Sequence, residues 1–202
     1  IGRAFERAVE GMADQSGGNT QFGALLLTVP LVRAAATDRL TPDGVAKTVE
    51  RTTVDDACEF YRAFEHVDVA VGDPPADLAA LDVRRGAAAG APPRHRGMER
   101  SADHDGVAAE WLSGFERSFE AATWLLEDSG PIDRRVSRAF LRLLADEEDT
   151  FVVTRNGADA AAEATERARA VLDGAEDADA LAEEFADRDI NPGTTADIVA
   201  GA

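Results

Sequence analysis

The run FGALLLTVPLVRAAA at residues 22–36 decides the fold class. It is the most apolar stretch of the chain, yet Pro30 and Arg33 interrupt it, and it is shorter than the roughly 20 residues a membrane-crossing helix needs. It reads as a buried helix, kinked or divided at Pro30. Working outward, the same helical spacing recurs on both sides. Gly2 to Met12 places Phe5 and Val9 four residues apart, and a helix start near Asn19-Thr20 leads into Phe22, Leu25, Leu26, Val29 and Leu31. Thr41-Pro42-Asp43 opens a further helix, because Thr caps well and Pro is tolerated at the first helical position. Thr53-Val54-Asp55-Asp56 opens another, through Cys58, Tyr61, Phe64 and Val67.

One long helix is expected from about Ser101 to Leu126, with Trp111, Phe115 and Phe119 as a core stripe at four-residue spacing. Further helices are expected over Asp133 to Ala145, Ala158 to Leu172 and Ala178 to Phe185, with a last one opening at Thr194-Thr195. Phe151-Val152-Val153 is β-branched but has no second strand to pair with, so it reads as buried helix or linker. The expectation is an all-α protein: a single multi-helix domain over residues 1–202, built around a buried central helix and without significant sheet. Residues 72–97, rich in Pro, Gly, Ala and Arg, are expected to form a long mobile loop within it. The chain opens on Ile1 and closes in the apolar run DIVAGA at residues 197–202, which reads as a helix cut short; a piece trimmed at both ends is expected.

Composition limits the partners. With 21 Lys+Arg against 39 Asp+Glu the formal charge is −18 and the pI about 4.4. A duplex-binding protein needs a basic face that releases counterions from phosphates, and an anionic membrane attracts Lys/Arg clusters, so neither nucleic acid nor membrane is an expected partner. Lys47 is the only Lys, every other cation being Arg. That balance suits a halophilic protein, since at about 1 M salt the Debye length is roughly 3 Å and the acidic surface is screened from itself. The lone Cys58 excludes an intrachain disulfide and a CxxC metal knuckle, and no signal peptide is apparent, so a cytoplasmic location is expected.

Two polar stretches place small hydrogen-bonding residues just before an apolar helix: Gly17-Gly18-Asn19-Thr20-Gln21-Phe22-Gly23 and Ile190-Asn191-Pro192-Gly193-Thr194-Thr195-Ala196-Asp197. Either is an anion cradle or an ordinary pair of N-caps, because helix starts leave N–H groups unpaired and carry the positive dipole end. Asp103-His104-Asp105 offers two carboxylates for a hard cation such as Mg²⁺, or a first turn that complements the dipole. Asp149-Thr150 with Arg155-Asn156-Gly157 is the fourth candidate, Arg155 being a phosphate fork or a solvated helix end. His66, His95 and His104 are too scattered for a zinc triad, and neither a G-x-S-x-G elbow nor a phosphate-binding G-x-x-x-x-G-K-[ST] loop is present.

The order GGNTQFGALLL (17–27), DHDGVAAEW (103–111), DTFVVTRNG (149–157) and NPGTTADIVA (191–200) resembles the triphosphoribosyl-dephospho-CoA synthase family, in particular its archaeal branch. The resemblance implies an all-helical enzyme that uses ATP and 3′-dephospho-CoA to make 2′-(5″-triphosphoribosyl)-3′-dephospho-CoA, releasing adenine. That product is the prosthetic-group precursor of citrate or malonate lyase and decarboxylase carrier subunits. Asn19 and Thr20 match the N-T of the family's first motif, and Gly193, Ala196 and Asp197 its closing G-x-x-A-D. Together with the residue reading above, phosphate binding is expected from Asn19, Thr20, Arg155, Asn191, Gly193, Thr194 and Thr195, and carboxylate chemistry or Mg²⁺ binding from Asp103 or Asp105, with Asp197 a second choice of metal ligand. Arg155 is expected to face the pocket together with Asn19 and Thr194. The chain departs from the bacterial N-T-H-K-G pattern at Gln21 and Phe22, and the bacterial G-A-R-x-E-A stretch is not recognisable. A divergent paralogue with another acceptor and a non-catalytic helical interaction protein are the alternatives. Oligomeric state is not legible.

Overall fold

The computed structural model describes residues 1–14, 21–67 and 94–202. Asn19, Thr20 and the expected loop as far as residue 93 lie outside them, whereas residues 94–97 of that loop open a helix. Among the described residues there are twelve helices and no strand. They fall into two compact units, one of Ile1–Asp103, Val107–Phe115 and Gly201, the other of His104–Gly106, Glu116–Ala200 and Ala202.

The first unit holds α1 (Gly2–Ala13), α2 (Phe22–Ala35), α3 (Pro42–Glu50), α4 (Val54–Ala63), α5 (Arg94–Ser101) and most of α6 (Gly106–Ser113). Local chemistry sets the helix starts. Thr41 Oγ1 accepts from Gly44 N–H at 3.1 Å with Pro42 just inside, and Thr53 forms a capping box with Asp56. Asp56 does more than cap α4: its other oxygen accepts from Gly2 N–H at 2.8 Å and so fastens the start of α1. Between α1, α2 and α4 the rings of Phe5, Phe22, Phe60 and Phe64 pack edge-on and stacked, with centroids 4.6 to 6.0 Å apart.

Pro30 does not divide α2, which continues to Ala35 with only Val32, Arg33 and Ala35 exposed. A proline in a helix interior leaves the carbonyl four residues earlier without its donor. That carbonyl belongs to Leu26, and the buried indole N–H of Trp111 bonds to it at 3.3 Å.

The single helix expected over 101–126 is instead two, α6 and α7 (Glu116–Glu127): Ser101 ends α5, and Ala102–Asp105 form the first break. At the second break Gly114 takes φ +75°, and the Phe115 N–H bonds back to the Glu110 carbonyl at 2.9 Å, a Schellman-type stop. Phe115 itself is left-handed at φ +66° and fully buried beside Trp111, so the stripe serves the core without a continuous helix.

The second unit contains α7, α8 (Ile132–Asp146), α9 (Thr150–Asn156), α10 (Ala158–Leu172), α11 (Ala178–Asp187) and α12 (Gly193–Ala200). Phe151-Val152-Val153 is thus helical. On α10 the buried Ala161, Ala164 and Ala168 make one smooth face, against which Leu144, Val152, Leu181, Phe185 and Ile190 pack. The last carbonyls of α8 find donors in two arginines, Arg117 to Leu143 at 3.3 Å and Arg169 to Ala145 at 2.7 Å. Across α10 and α11, Arg167 pairs with Glu176 and Glu184, and Arg188 with Glu163 and Glu184.

Two predictions follow from this packing. Trp111→Phe removes the donor from Leu26 and is expected to lower unfolding free energy by about 1–3 kcal/mol. In a Pro30→Ala background, which restores the backbone donor, the same change should cost about 1 kcal/mol less; equal costs in a urea-denaturation cycle would show that the carbonyl is not what Trp111 serves. The second concerns acid. Burial pushes the Asp56 carboxyl up, but the N–H groups of Gly2 and Thr53 and the Thr53 hydroxyl outweigh it and hold the pKa at about 2; Arg167, then Arg188, holds Glu184 at about 2. Both folded values are depressed, so this stability is complete above the unfolded values near 4 and is lost as pH falls toward 2. Tm measured from pH 5 to pH 2 should fall, the exposed Glu184 part shrinking in 1 M salt and Asp56→Asn flattening the acid limb.

Candidate active site

The second unit brings together the starts of three helices whose sequence motifs are far apart. Asp149 is the hinge of the arrangement. It follows α8 in extended backbone at φ −70°, ψ 118°, and one carboxylate oxygen accepts from the N–H groups of Phe151 and Val152 at 2.9 and 3.0 Å, capping α9. The other oxygen accepts from Thr195 N–H at 2.7 Å and Thr195 Oγ1 at 2.8 Å, capping α12 as well. With the side chain 2% exposed, all four acceptor directions of this carboxylate are filled by the protein.

Next to it lie two hydroxyls. Thr150 Oγ1 accepts from Gly106 N–H, the first residue of α6, at 3.0 Å and sits 3.0 Å from Thr194 Oγ1 in the first turn of α12. Gly106 is required by close approach: a Cβ there would lie 2.7 Å from Thr194 Cγ2 and 3.5 Å from Thr150 Oγ1. It would also lie 3.9 Å from Nη1 of Arg117, whose guanidinium pairs with Glu147 at 3.0 Å. Three helix starts and a guanidinium therefore meet at one place, with the Asp149 carboxylate capping two of the starts and Glu147 pairing with the guanidinium.

Of the residues singled out from sequence, Thr194 and Thr195 are in this cluster, the latter with its backbone and hydroxyl donors both engaged by Asp149. Asp105 is exposed and immediately precedes Gly106, and half-buried Asp197 lies one turn beyond Thr194 on α12. Asp103 is exposed and groups with the first unit. Gly193 N–H bonds to the Asn191 carbonyl at 2.7 Å, and the Phe151 ring abuts Gly193, a Cβ on which would meet it at 3.1 Å. Arg155 stacks over that same ring, 5.7 Å from its centroid, and pairs with Asp189 at 3.1 Å. Its contacts thus run to Phe151 and Asp189, and Asn19, its expected companion, lies outside the described residues.

Sequence reading did not single out Gly106 or Arg117, and it treated Asp149 and Thr150 only as parts of a stretch. A glycine directly after D-H-D was the available signal for Gly106; Arg117 carries none.

Among the described residues no group of three or more His, Cys, Asp or Glu is placed to hold a metal ion. A cavity of about 400 Å³ in the same unit is lined by Asp146, Glu147, Glu148, Thr165, Glu166 and Arg169, and that acidic wall is the wrong chemistry for a polyphosphate. No helix is long and apolar enough to cross a membrane among the described residues.

Comparison with known proteins accords with the motif order. A crystal structure from Archaeoglobus fulgidus, of a protein carrying the provisional name triphosphoribosyl-dephospho-CoA synthase, superposes with a TM-score of 0.76 at 24% identity, over 100% of this chain and 86% of the other. At that identity the likeness speaks for the fold. No curated protein sequence gives a match. The sequence profile of the transferase family CitG, described as ATP:dephospho-CoA triphosphoribosyl transferase, matches residues 1–202. The chain therefore belongs to the ATP:dephospho-CoA triphosphoribosyl transferase family.

Proposed function

We propose that the protein transfers the 5-triphosphoribosyl group of ATP to the 2′-hydroxyl of 3′-dephospho-CoA and releases adenine. The observation that carries this reading is the meeting of Gly106, Thr150 and Thr194, which joins three of the family-like motifs at adjoining helix starts and sets two hydroxyls side by side. In the reaction the acceptor oxygen bonds to ribose C1′ as the bond from C1′ to adenine breaks. The electron pair leaves with adenine, and the acceptor's proton passes to a base. The centre is oxocarbenium-like, so a nearby carboxylate stabilises it. Asp105, at the head of α6, is the carboxylate proposed for that role. The Thr150 and Thr194 hydroxyls and Arg117 orient the triphosphate.

Among the described residues no three carboxylates are placed to hold a metal ion, so Mg²⁺ would be held in the mode that needs few protein ligands, by Asp197 beside phosphate oxygens, where it would neutralise part of the triphosphate charge. Phe22 supports a second reading, an enzyme with a different acceptor. Where bacterial relatives carry Lys, this side chain is buried 4.6 Å from the Phe64 ring and offers no phosphate contact.

Incubation with ATP, Mg²⁺ and dephospho-CoA should release adenine in step with a new CoA derivative. Adenine formed only with another acceptor would favour the second reading, and no adenine with any acceptor would overturn both. At a hundred times its Kd, ATP should add about 2.7 kcal/mol of stability. Gly106→Ala pushes Thr194 aside and is expected to lower the rate of adenine release about 10-fold or more, with unchanged far-UV circular dichroism.

A further inference from the structure

We infer that Asp149 is a positioning residue of this enzyme, one that sets the spacing of the Thr150 and Thr194 hydroxyls by tying the starts of α9 and α12 to one carboxylate. The inference rests on the transferase reading above. Asp149 cannot act on substrate directly. It is 2% exposed, and its four acceptor directions hold the N–H groups of Phe151, Val152 and Thr195 and the Thr195 hydroxyl, so no lone pair remains for a substrate or a metal ion. Yet each residue it bonds is next to, or one removed from, a hydroxyl of the cluster: Thr150 follows Asp149, and Thr194 precedes Thr195.

The two halves of the carboxylate do separate jobs. One fixes the first turn of α9, and with it Thr150 Oγ1, which also receives Gly106 N–H. The other fixes the first turn of α12, and with it Thr194 Oγ1, 3.0 Å from Thr150. The same bonds engage the Thr195 N–H, so the hydroxyls are the groups this end of α12 offers to a ligand. Binding of triphosphate at this end of α12 therefore depends on where the hydroxyls stand, and they stand where Asp149 holds them.

Asp149→Asn separates the halves. In either orientation of the amide the NH₂ meets a backbone N–H donor to donor, that of Thr195 on one side or those of Phe151 and Val152 on the other. One of the two helix starts therefore loses its cap, and the pair of hydroxyls is no longer held from both sides. A displacement near 1 Å at a reacting site costs on the order of 100-fold in rate. The expected result is a kcat/KM for ATP lowered about 10- to 100-fold, with Thr150→Ala adding little in the Asp149→Asn background because both act through the same pair. Asp177→Ala, which removes the N-cap of α11 at 3.0 Å from Ala180 N–H, is the control for lost stability alone. Thr195→Val keeps the N–H bond, loses only the hydroxyl bond to Asp149, and is the milder variant should Asp149→Asn fail to fold; a several-fold loss of kcat/KM is expected for it.

The assay is adenine release at varied ATP, with Tm measured on each variant. Asp149→Asn or Thr195→Val losing no more activity than Asp177→Ala at a matched fall in Tm overturns the inference while the transferase reading stands. Full additivity of Thr150→Ala with Asp149→Asn overturns it as well. A wild-type protein that releases no adenine overturns the transferase reading itself, and the inference with it.

Discussion

A helix start leaves N–H groups that the helix cannot pair, and this protein answers that constraint with a carboxylate that serves two helices at once. Asp149 caps α9 with one oxygen and α12 with the other. Asp56 repeats the device in the first unit, closing the capping box of α4 while holding the start of α1. Short helices gain little from their own hydrogen bonds, so a tie between two starts does what helix length cannot. In the second unit such a tie joins the helix starts that bear Thr150 and Thr194.

Charge shapes the rest. The chain carries few cations for its 39 carboxylates, and the structure commits many of them to internal work. Arg167 and Arg188 bind glutamates across α10 and α11, Arg138 binds Asp128, and Arg155 binds Asp189. At the cluster proposed for the triphosphate the groups are mostly uncharged: the Thr150 and Thr194 hydroxyls, with Arg117 paired to Glu147 beside them. An acidic protein can hold an anion in this way because fixed dipoles carry no counterion and need no matching positive surface.

Local signals in the sequence were sufficient wherever a helix start is built from its own neighbours. Thr41 with Pro42 and Thr53 with Asp56 could be read directly, as could the Ala-lined α10, because cap and helix lie within a few residues of each other. The stop at Gly114 was missed since a lone glycine inside a good helical pattern is locally ambiguous, and only the buried fit of Phe115 resolves it. The candidate site was legible as motifs but not as an assembly. Thr150 and Gly106 are 44 residues apart, Asp149 and Thr195 46, and Trp111 and the Leu26 carbonyl 85. No spacing rule reaches across such distances. Arg117 had no local mark at all, since its role comes from the end of α8 that it approaches.

The answer to Pro30 has an optical consequence. The chain has two tryptophans, and each unit holds one. Trp111 is sealed in the core with its indole N–H on the Leu26 carbonyl, whereas half-buried Trp124 lies 5.3 Å beneath the Arg142 guanidinium. One chromophore is dry and hydrogen-bonded to backbone, the other wet and next to a cation, so their emission maxima and their access to quenchers differ. The protein carries a separate native reporter in each half, and light emitted by the unlabelled chain distinguishes loosening in one from loosening in the other.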